Sequence, residues 1–272
     1  MNTDFLVDEP WVAKHLDDPA IVFLDVREAT QFWAAHLPGA RHFDVTQFSH
    51  YDTSEAGLAL LASQFGALFS LLGLDGEEHV VVYESKSESR AARAAWLLEY
   101  LGHERVSLFD GGLGAAPNIA LDSTARAFKQ KWFRAKPQPE RVADAQEIVR
   151  RLDEPGLRIL DARRAAEYFG EEKRAKHAGT IPGARHLNYV DNIDADGRFK
   201  PVAQLRAQYE ALGLTPDDEI VTFCGGGVRA AHTYYALRLA GFGRVRNYTG
   251  SWGEWGNRDD LPIERPVRAS KG

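Results

Sequence analysis

A twelve-residue stretch occurs twice in this chain, and the duplication constrains the fold more than any local propensity does. Leu16-Asp17-Asp18-Pro19-Ala20-Ile21-Val22-Phe23-Leu24-Asp25-Val26-Arg27 aligns without a gap on Leu152-Asp153-Glu154-Pro155-Gly156-Leu157-Arg158-Ile159-Leu160-Asp161-Ala162-Arg163. Each copy reads as a helix end, a turn and a strand closing in Asp-x-Arg. A second match pairs His36-Leu37-Pro38-Gly39-Ala40-Arg41-His42-Phe43 with Thr180-Ile181-Pro182-Gly183-Ala184-Arg185-His186-Leu187. The first pair lies 136 residues apart and the second 144, so the later copy carries eight extra residues, in the charged run from Glu171 to His177.

Both copies continue alike. A helix ends in Leu-Gly-Leu at 72–74 and at 212–214, a strand follows at 79–83 and 219–223, and a helix opens on Arg-Ala-Ala at 90–92 and 229–231. Gly102 or Gly241 closes that helix, and a last strand covers 106–109 or 245–248. So long a period exceeds any solenoid unit and means two homologous domains. Strands alternating with helices predict an α/β fold, each domain a parallel sheet flanked by helices. The prolines and charges of Arg134-Ala135-Lys136-Pro137-Gln138-Pro139-Glu140 mark an extended linker, giving domains at 1–134 and 141–272 joined by 135–140. A single sheet interrupted by a loop is the alternative, and the ungapped repeat argues against it.

Composition narrows the function. A formal net charge of −6 without a dominant basic run argues against nucleic acid as a partner. The amino end, Met1 to Glu9, has neither a positive start nor an apolar signal core, and no apolar run approaches about 18 residues, so a cytoplasmic protein without a membrane partner is expected. One cysteine excludes an internal disulfide and a thiolate-rich zinc site.

That cysteine sits in Val221-Thr222-Phe223-Cys224-Gly225-Gly226-Gly227-Val228-Arg229-Ala230-Ala231-His232, between a β-branched strand and a helix predicted over 229–240. A lone cysteine is by default a small core hydrophobe. Here the glycines can turn successive amides inward, and a helix start favours an anion, either a thiolate or a bound oxyanion. Arg229 adds a fixed cation that would favour a thiolate and hold an anionic substrate. The equivalent loop of the first copy, Glu84-Ser85-Lys86-Ser87-Glu88-Ser89, has no thiol and no glycine. Thiolate chemistry therefore belongs to the second domain, and the first is structural or walls a cleft between domains.

On these residues the chain resembles the rhodanese family, specifically the tandem-domain sulfurtransferases. The carrying motifs are Cys224-Gly225-Gly226-Gly227-Val228-Arg229 as the active loop, the two Pro-Gly-Ala segments, and Gly250-Ser251-Trp252-Gly253-Glu254-Trp255 as the closing signature. The resemblance implies that Cys224 forms a persulfide, that the amides of Gly225, Gly226, Gly227, Val228 and Arg229 cradle the sulfane sulfur, and that the first domain is catalytically silent. It implies a sulfur donor, thiosulfate or 3-mercaptopyruvate, a thiol or cyanide acceptor, and no metal or organic cofactor. Mercaptopyruvate enzymes of the family carry Gly-Ser-Gly-Val-Thr after the cysteine; here Gly226 replaces the serine and Arg229 the threonine. Glu167 stands where that group and the animal thiosulfate enzymes place a substrate-binding arginine. The segments 161–170 and 196–200 look more like bacterial thiosulfate sulfurtransferases, which favours thiosulfate, with 3-mercaptopyruvate as the alternative.

Three other readings compete with this one. A cysteine phosphatase spaces its thiol and arginine by five residues, whereas four separate Cys224 from Arg229. A dinucleotide reading of Gly225-x-Gly227-x-x-Ala230 leaves too little chain for the rest of the sheet and no acidic residue at the next strand end. A non-catalytic sulfur carrier or binding module would load sulfur without turnover. His36, His42, His177 and His186 are expected at the surface or in turns, Trp252 and Trp255 in packing, and Lys173, Arg174 and Lys176 in a solvated loop or steering an anion. Asp161 with Arg163, like Asp25 with Arg27, is expected to be a structural pair.

Overall fold

The structure is a computed structural model that describes residues 5–268; the first four residues of the amino-terminal stretch and the last four of the chain lie outside it. The first half runs β1 (Leu6–Val7), α1 (Glu9–Lys14), β2 (Ile21–Asp25), α2 (Ala29–Ala34), β3 (Arg41–His42), α3 (Glu55–Leu71), β4 (His79–Tyr83), α4 (Ser89–Tyr100) and β5 (Val106–Phe109). The second runs α5 (Ala145–Arg151), β6 (Leu157–Asp161), α6 (Ala165–Tyr168), β7 (Arg185–His186), α7 (Val202–Glu210), β8 (Glu219–Phe223), α8 (Val228–Leu239), β9 (Arg244–Asn247) and α9 (Ser251–Trp255).

Two wholly parallel sheets result, ordered β1-β5-β4-β2-β3 and β7-β6-β8-β9. The repeat persists in the register: Asp25 stands opposite Tyr83, and Asp161 opposite Phe223. The strand matching β1 shrinks in the second sheet to one bridge between Val142 and Asn247. The linker residues 135–140 lie along the end of α4, where the Lys136 and Gln138 amides donate to the Leu101 and Tyr100 carbonyls.

The central strands β2, β4, β6 and β8 place apolar residues on both faces because both faces are covered. In the first domain Phe23, Val81 and Tyr83 point into an outer core with Phe32 and Leu37, while Val22, Leu24, Val80 and Val82 point inward. In the second, Ile159, Val221 and Phe223 face an outer core with Trp255, and Leu160 and Ile220 face inward. The two inner faces share one core. Helices α4 and α8 join them: Ala91, Ala92, Ala94 and Ala95 meet Ala231, Tyr235 and Ala236, and ten of the twelve residues of α4 are buried. Small side chains let the helix backbones approach closely, so the domains pack as one body where the duplication alone suggested two separate cores.

The Asp-x-Arg pairs are structural, as expected. Arg27 donates to Asp25 at 2.6–3.1 Å and to the Ala35 carbonyl at 2.6 Å. Arg163 repeats this with Asp161 at 2.6–3.1 Å and the Gly179 carbonyl at 2.7 Å. Both limits of the last long helix and of the last strand move by one residue: Gly227 at φ 78° caps α8, which runs Val228–Leu239 in place of 229–240, and β9 runs Arg244–Asn247 in place of 245–248. His36 departs from its expected surface place: it is fully buried, stacked 4.0 Å from Phe32, with Nδ1 against the Phe32 carbonyl at 2.7 Å. His42 and His186 are half-buried and bond the Arg27 and Arg163 carbonyls at 2.9 and 2.8 Å. Among the described residues no helix is long and apolar enough to cross a membrane.

Candidate active site

Cys224 follows the carboxyl end of β8 and is 1% exposed, at the base of the turn into α8. Ser251 shapes this turn. It is the one non-glycine among the described residues with positive φ, at 51°, a conformation that costs an L residue about 1 kcal/mol or more. In exchange its hydroxyl sits beneath the loop, accepting from the Cys224 and Gly227 amides at 3.0 Å each and donating to the Tyr248 carbonyl at 2.8 Å. The Trp252 and Gly253 amides bind the Cys224 and Gly225 carbonyls at 2.9 and 2.8 Å, and Asn247 binds the Gly227 carbonyl at 3.1 Å. With its carbonyls held from behind, the loop keeps the amides of Gly225, Gly226, Val228 and Arg229 without a protein acceptor among the described residues. Of the five amides expected at the site, Gly227 alone is spent on the loop's own shape.

A cavity of about 640 Å³ opens beside the loop at Gly225 and Arg229, lined also by Arg164, Arg174 and Glu167 and by Tyr51 and Tyr189 among others. Three guanidinium groups face two carboxylates there: Arg229 is bidentate to Glu167 at 2.8 and 3.1 Å, and Glu172 bridges Arg164 and Arg174 at 2.6 and 2.5 Å. Burial would push the Glu167 carboxyl up, but the Arg229 hydrogen bonds and charge outweigh it and hold it at about 2. Arg229 is thus in the site but shares its charge with a buried anion. Of the charged run, Arg174 lines the cavity, while Lys176 pairs with Asp259 at 2.5 Å.

The first domain supplies a wall. Tyr51 lies over the loop so closely that a Cβ on Gly226 would stand 3.0 Å from Tyr51 Cε1, and one on Gly253 2.3 Å from the same ring. A side chain at either glycine would have to displace the ring of a residue far away in sequence. Its own loop is filled rather than open: the Glu84 carboxyl group accepts from the Ala91 amide at 2.9 Å, and Ser87 is engaged by Asp110, Gly111 and the Gly197 carbonyl. The segment 196–200 of the second domain docks here, with Arg198 and Phe199 bonded to Asp110. Trp252 and Trp255 are buried in packing, their indoles donating to the His177 and Pro262 carbonyls. A second cavity of about 560 Å³ opens at the opposite end of the molecule beside Arg141 and Arg238, but both are paired to Glu99 and no thiol lies there.

Sequence alone did not single out Tyr51, Arg164, Tyr189 or the role of Ser251. The only signal for Ser251 was its place in the closing signature; the others become neighbours of Cys224 only through packing.

Comparison with known proteins agrees with this geometry. The family model for the rhodanese-like domain matches twice, at residues 8–115 and 144–258. The chain is 31% identical to a 3-mercaptopyruvate sulfurtransferase of Escherichia coli, over 98% of this chain and 100% of that protein. It is 33% identical to a thiosulfate sulfurtransferase of Pseudomonas aeruginosa, over 95% and 97% of the two chains. A crystal structure of a 3-mercaptopyruvate sulfotransferase from Escherichia coli superposes with a TM-score of 0.79 at 30% identity, over 91% of this chain and 98% of that one. With both halves matched and the repeat carried into two parallel sheets, the chain belongs to the rhodanese family as a tandem-domain member.

Proposed function

We propose that this protein is a sulfurtransferase that moves a sulfane sulfur from thiosulfate to a thiophilic acceptor through a persulfide on Cys224. One observation carries the reading: the only thiol of the chain lies buried at the base of a loop with four unspent amides, and that loop, through Gly225 and Arg229, borders a cavity lined by three arginines. The Cys224 thiolate attacks the outer sulfur of thiosulfate, a new S–S bond forms, and the old one breaks with its electron pair leaving on sulfite. The terminal persulfide sulfur, a monoanion, is held by the amides of Gly225, Gly226, Val228 and Arg229, with Gly227 keeping the loop in shape. Cyanide or a thiolate then attacks that sulfur, and the electron pair of the broken bond returns to Cys224. Neither step requires a metal or organic cofactor.

Thiosulfate is favoured because sulfite leaves as a dianion and needs no proton, and the loop has Gly226 where the mercaptopyruvate enzymes have a serine. One observation favours 3-mercaptopyruvate instead: the Tyr51 hydroxyl lies 3.4 Å from where a Cβ of residue 226 would stand, so a hydroxyl is present close to that place. Residues 1–134 and 141–272 serve as silent and catalytic domains, and the free thiol suits the reducing cytoplasm.

Intact mass measurement after incubation with each donor tests the proposal. Wild type should gain one sulfur atom, removed by cyanide, and Cys224→Ala should gain none; no gain from either donor sinks the reading. The faster donor identifies the subclass, and repeated turnover with cyanide separates an enzyme from a stoichiometric carrier.

A further inference from the structure

Arg93 belongs to the first domain, on α4, and is 2% exposed. Three arginines are buried among the described residues, Arg27 at 9% exposure, Arg93 at 2% and Arg163 at 1%. Arg27 and Arg163 each hold an aspartate, whereas Arg93 has no acidic side chain within ion-pair distance. Its Nη1 is buried without a hydrogen-bond partner, and the nearest compensation is the Trp96 ring, 5.0 Å from Cζ. A cation enclosed without an anion is strongly unfavourable, so its retention calls for a negative partner that the resting contacts do not display.

The position of the guanidinium identifies that partner. A Cβ on Gly227 would stand 3.0 Å from Nη1, so Arg93 presses against the active loop from beneath, at the residue whose amide shares the Ser251 hydroxyl with Cys224. Burial pulls the Arg93 guanidinium down to about 10, and the Cys224 anion is the one group that pulls it back up. The Cys224 charge also reaches Arg229 in the first turn of α8, and Arg229 is offset by Glu167. No second charge offsets Arg93.

We propose that Arg93 is the fixed counter-cation of the sulfur anion on Cys224, so that the domain lacking a thiol completes the electrostatics of the catalytic one. The inference rests on the reading of Cys224 as the sulfur-carrying nucleophile. Arg93 acts as a positioning residue: it stabilises the thiolate, and then the persulfide, through the field it sets across the loop. A side chain at Gly227 would meet the Thr249 carbonyl oxygen at 2.8 Å and the Arg93 guanidinium at 3.0 Å, so the position needs glycine for space as well as for its backbone angle.

The test is the pH profile of Cys224 alkylation by iodoacetamide, measured on the full chain for wild type, Arg93→Met and Arg93→Lys. Removing one unit charge from within about 10 Å at an effective dielectric near 20 changes a thiolate population about tenfold, so the Arg93→Met midpoint should rise by about one pH unit. Arg93→Lys, which keeps the charge, should stay near wild type. An unchanged midpoint in Arg93→Met protein with wild-type circular dichroism overturns the proposal. If methionine prevents folding, Arg93→Gln is measured in its place; if both neutral variants fail to fold while Arg93→Lys folds, the charge serves the architecture and the proposal is likewise overturned. Alkylation needs no sulfur donor, so failure of wild type to load sulfur speaks against the sulfurtransferase reading alone and leaves this result legible.

Discussion

Replacing Arg229 by methionine strands Glu167, and the cost can be worked from the structure. Glu167 is 2% exposed and its carboxyl is held at about 2 instead of 4.5, against its burial, chiefly by the two Arg229 hydrogen bonds and the Arg229 charge. A depressed carboxyl contributes stability that is complete above pH 4.5 and lost as the pH falls toward 2. The interaction is therefore worth about 3 kcal/mol at pH 7 and about half of that at pH 3. Losses of this size are usual when one partner of a buried ion pair is removed. Urea denaturation of wild type and Arg229→Met at the two pH values reads the difference directly. The penalty should shrink by about half on acidification, and adding Glu167→Gln to Arg229→Met should recover much of the loss at pH 7. A penalty of equal size at both pH values would refute the electrostatic account and leave only lost packing.

Ser251→Ala deprives the Cys224 and Gly227 amides of their shared acceptor and should cost about 2 kcal/mol. Ser251→Gly relieves the positive φ but loses the same bonds, so both should melt below wild type; unchanged melting in both would show that the hydroxyl does not hold the loop. Gly226→Ser places a Cβ 3.0 Å from Tyr51. Because Tyr51 is half exposed and can swing outward, stability should change by less than about 1 kcal/mol, while sulfur loading from thiosulfate slows severalfold and recovers when Tyr51→Ala is added. Glu84, pushed up to about 8 by burial, is neutral in the folded chain and ionised in the unfolded chain above pH 4.5. Wild type therefore loses stability as pH rises from 4.5 to 8, and Glu84→Gln should gain about 4 kcal/mol relative to it between pH 4.5 and 9; a pH-independent difference in denaturation would contradict this.

Much of the architecture was legible in the residues because it is periodic or duplicated. The Asp-x-Arg strand ends, the Leu-Gly-Leu helix ends and the strand before Cys224 are each set by neighbours close along the chain, and each was written twice. The single thiol and the glycines beside it also set the loop of the second domain apart from that of the first, since the loop at Glu84 has neither. What tertiary structure alone decided is the company the thiol keeps. Glu167 reaches Arg229 across 62 residues, Tyr51 covers Gly226 from the other domain, and Arg93 presses on Gly227 from a helix whose sequence reads as an ordinary alanine-rich segment. Periodicity reports which face of an element is apolar, but not which two faces meet. The packing of α4 against α8 makes that choice, and with it brings Tyr51 and Arg93 of the first domain against the loop that carries Cys224 in the second.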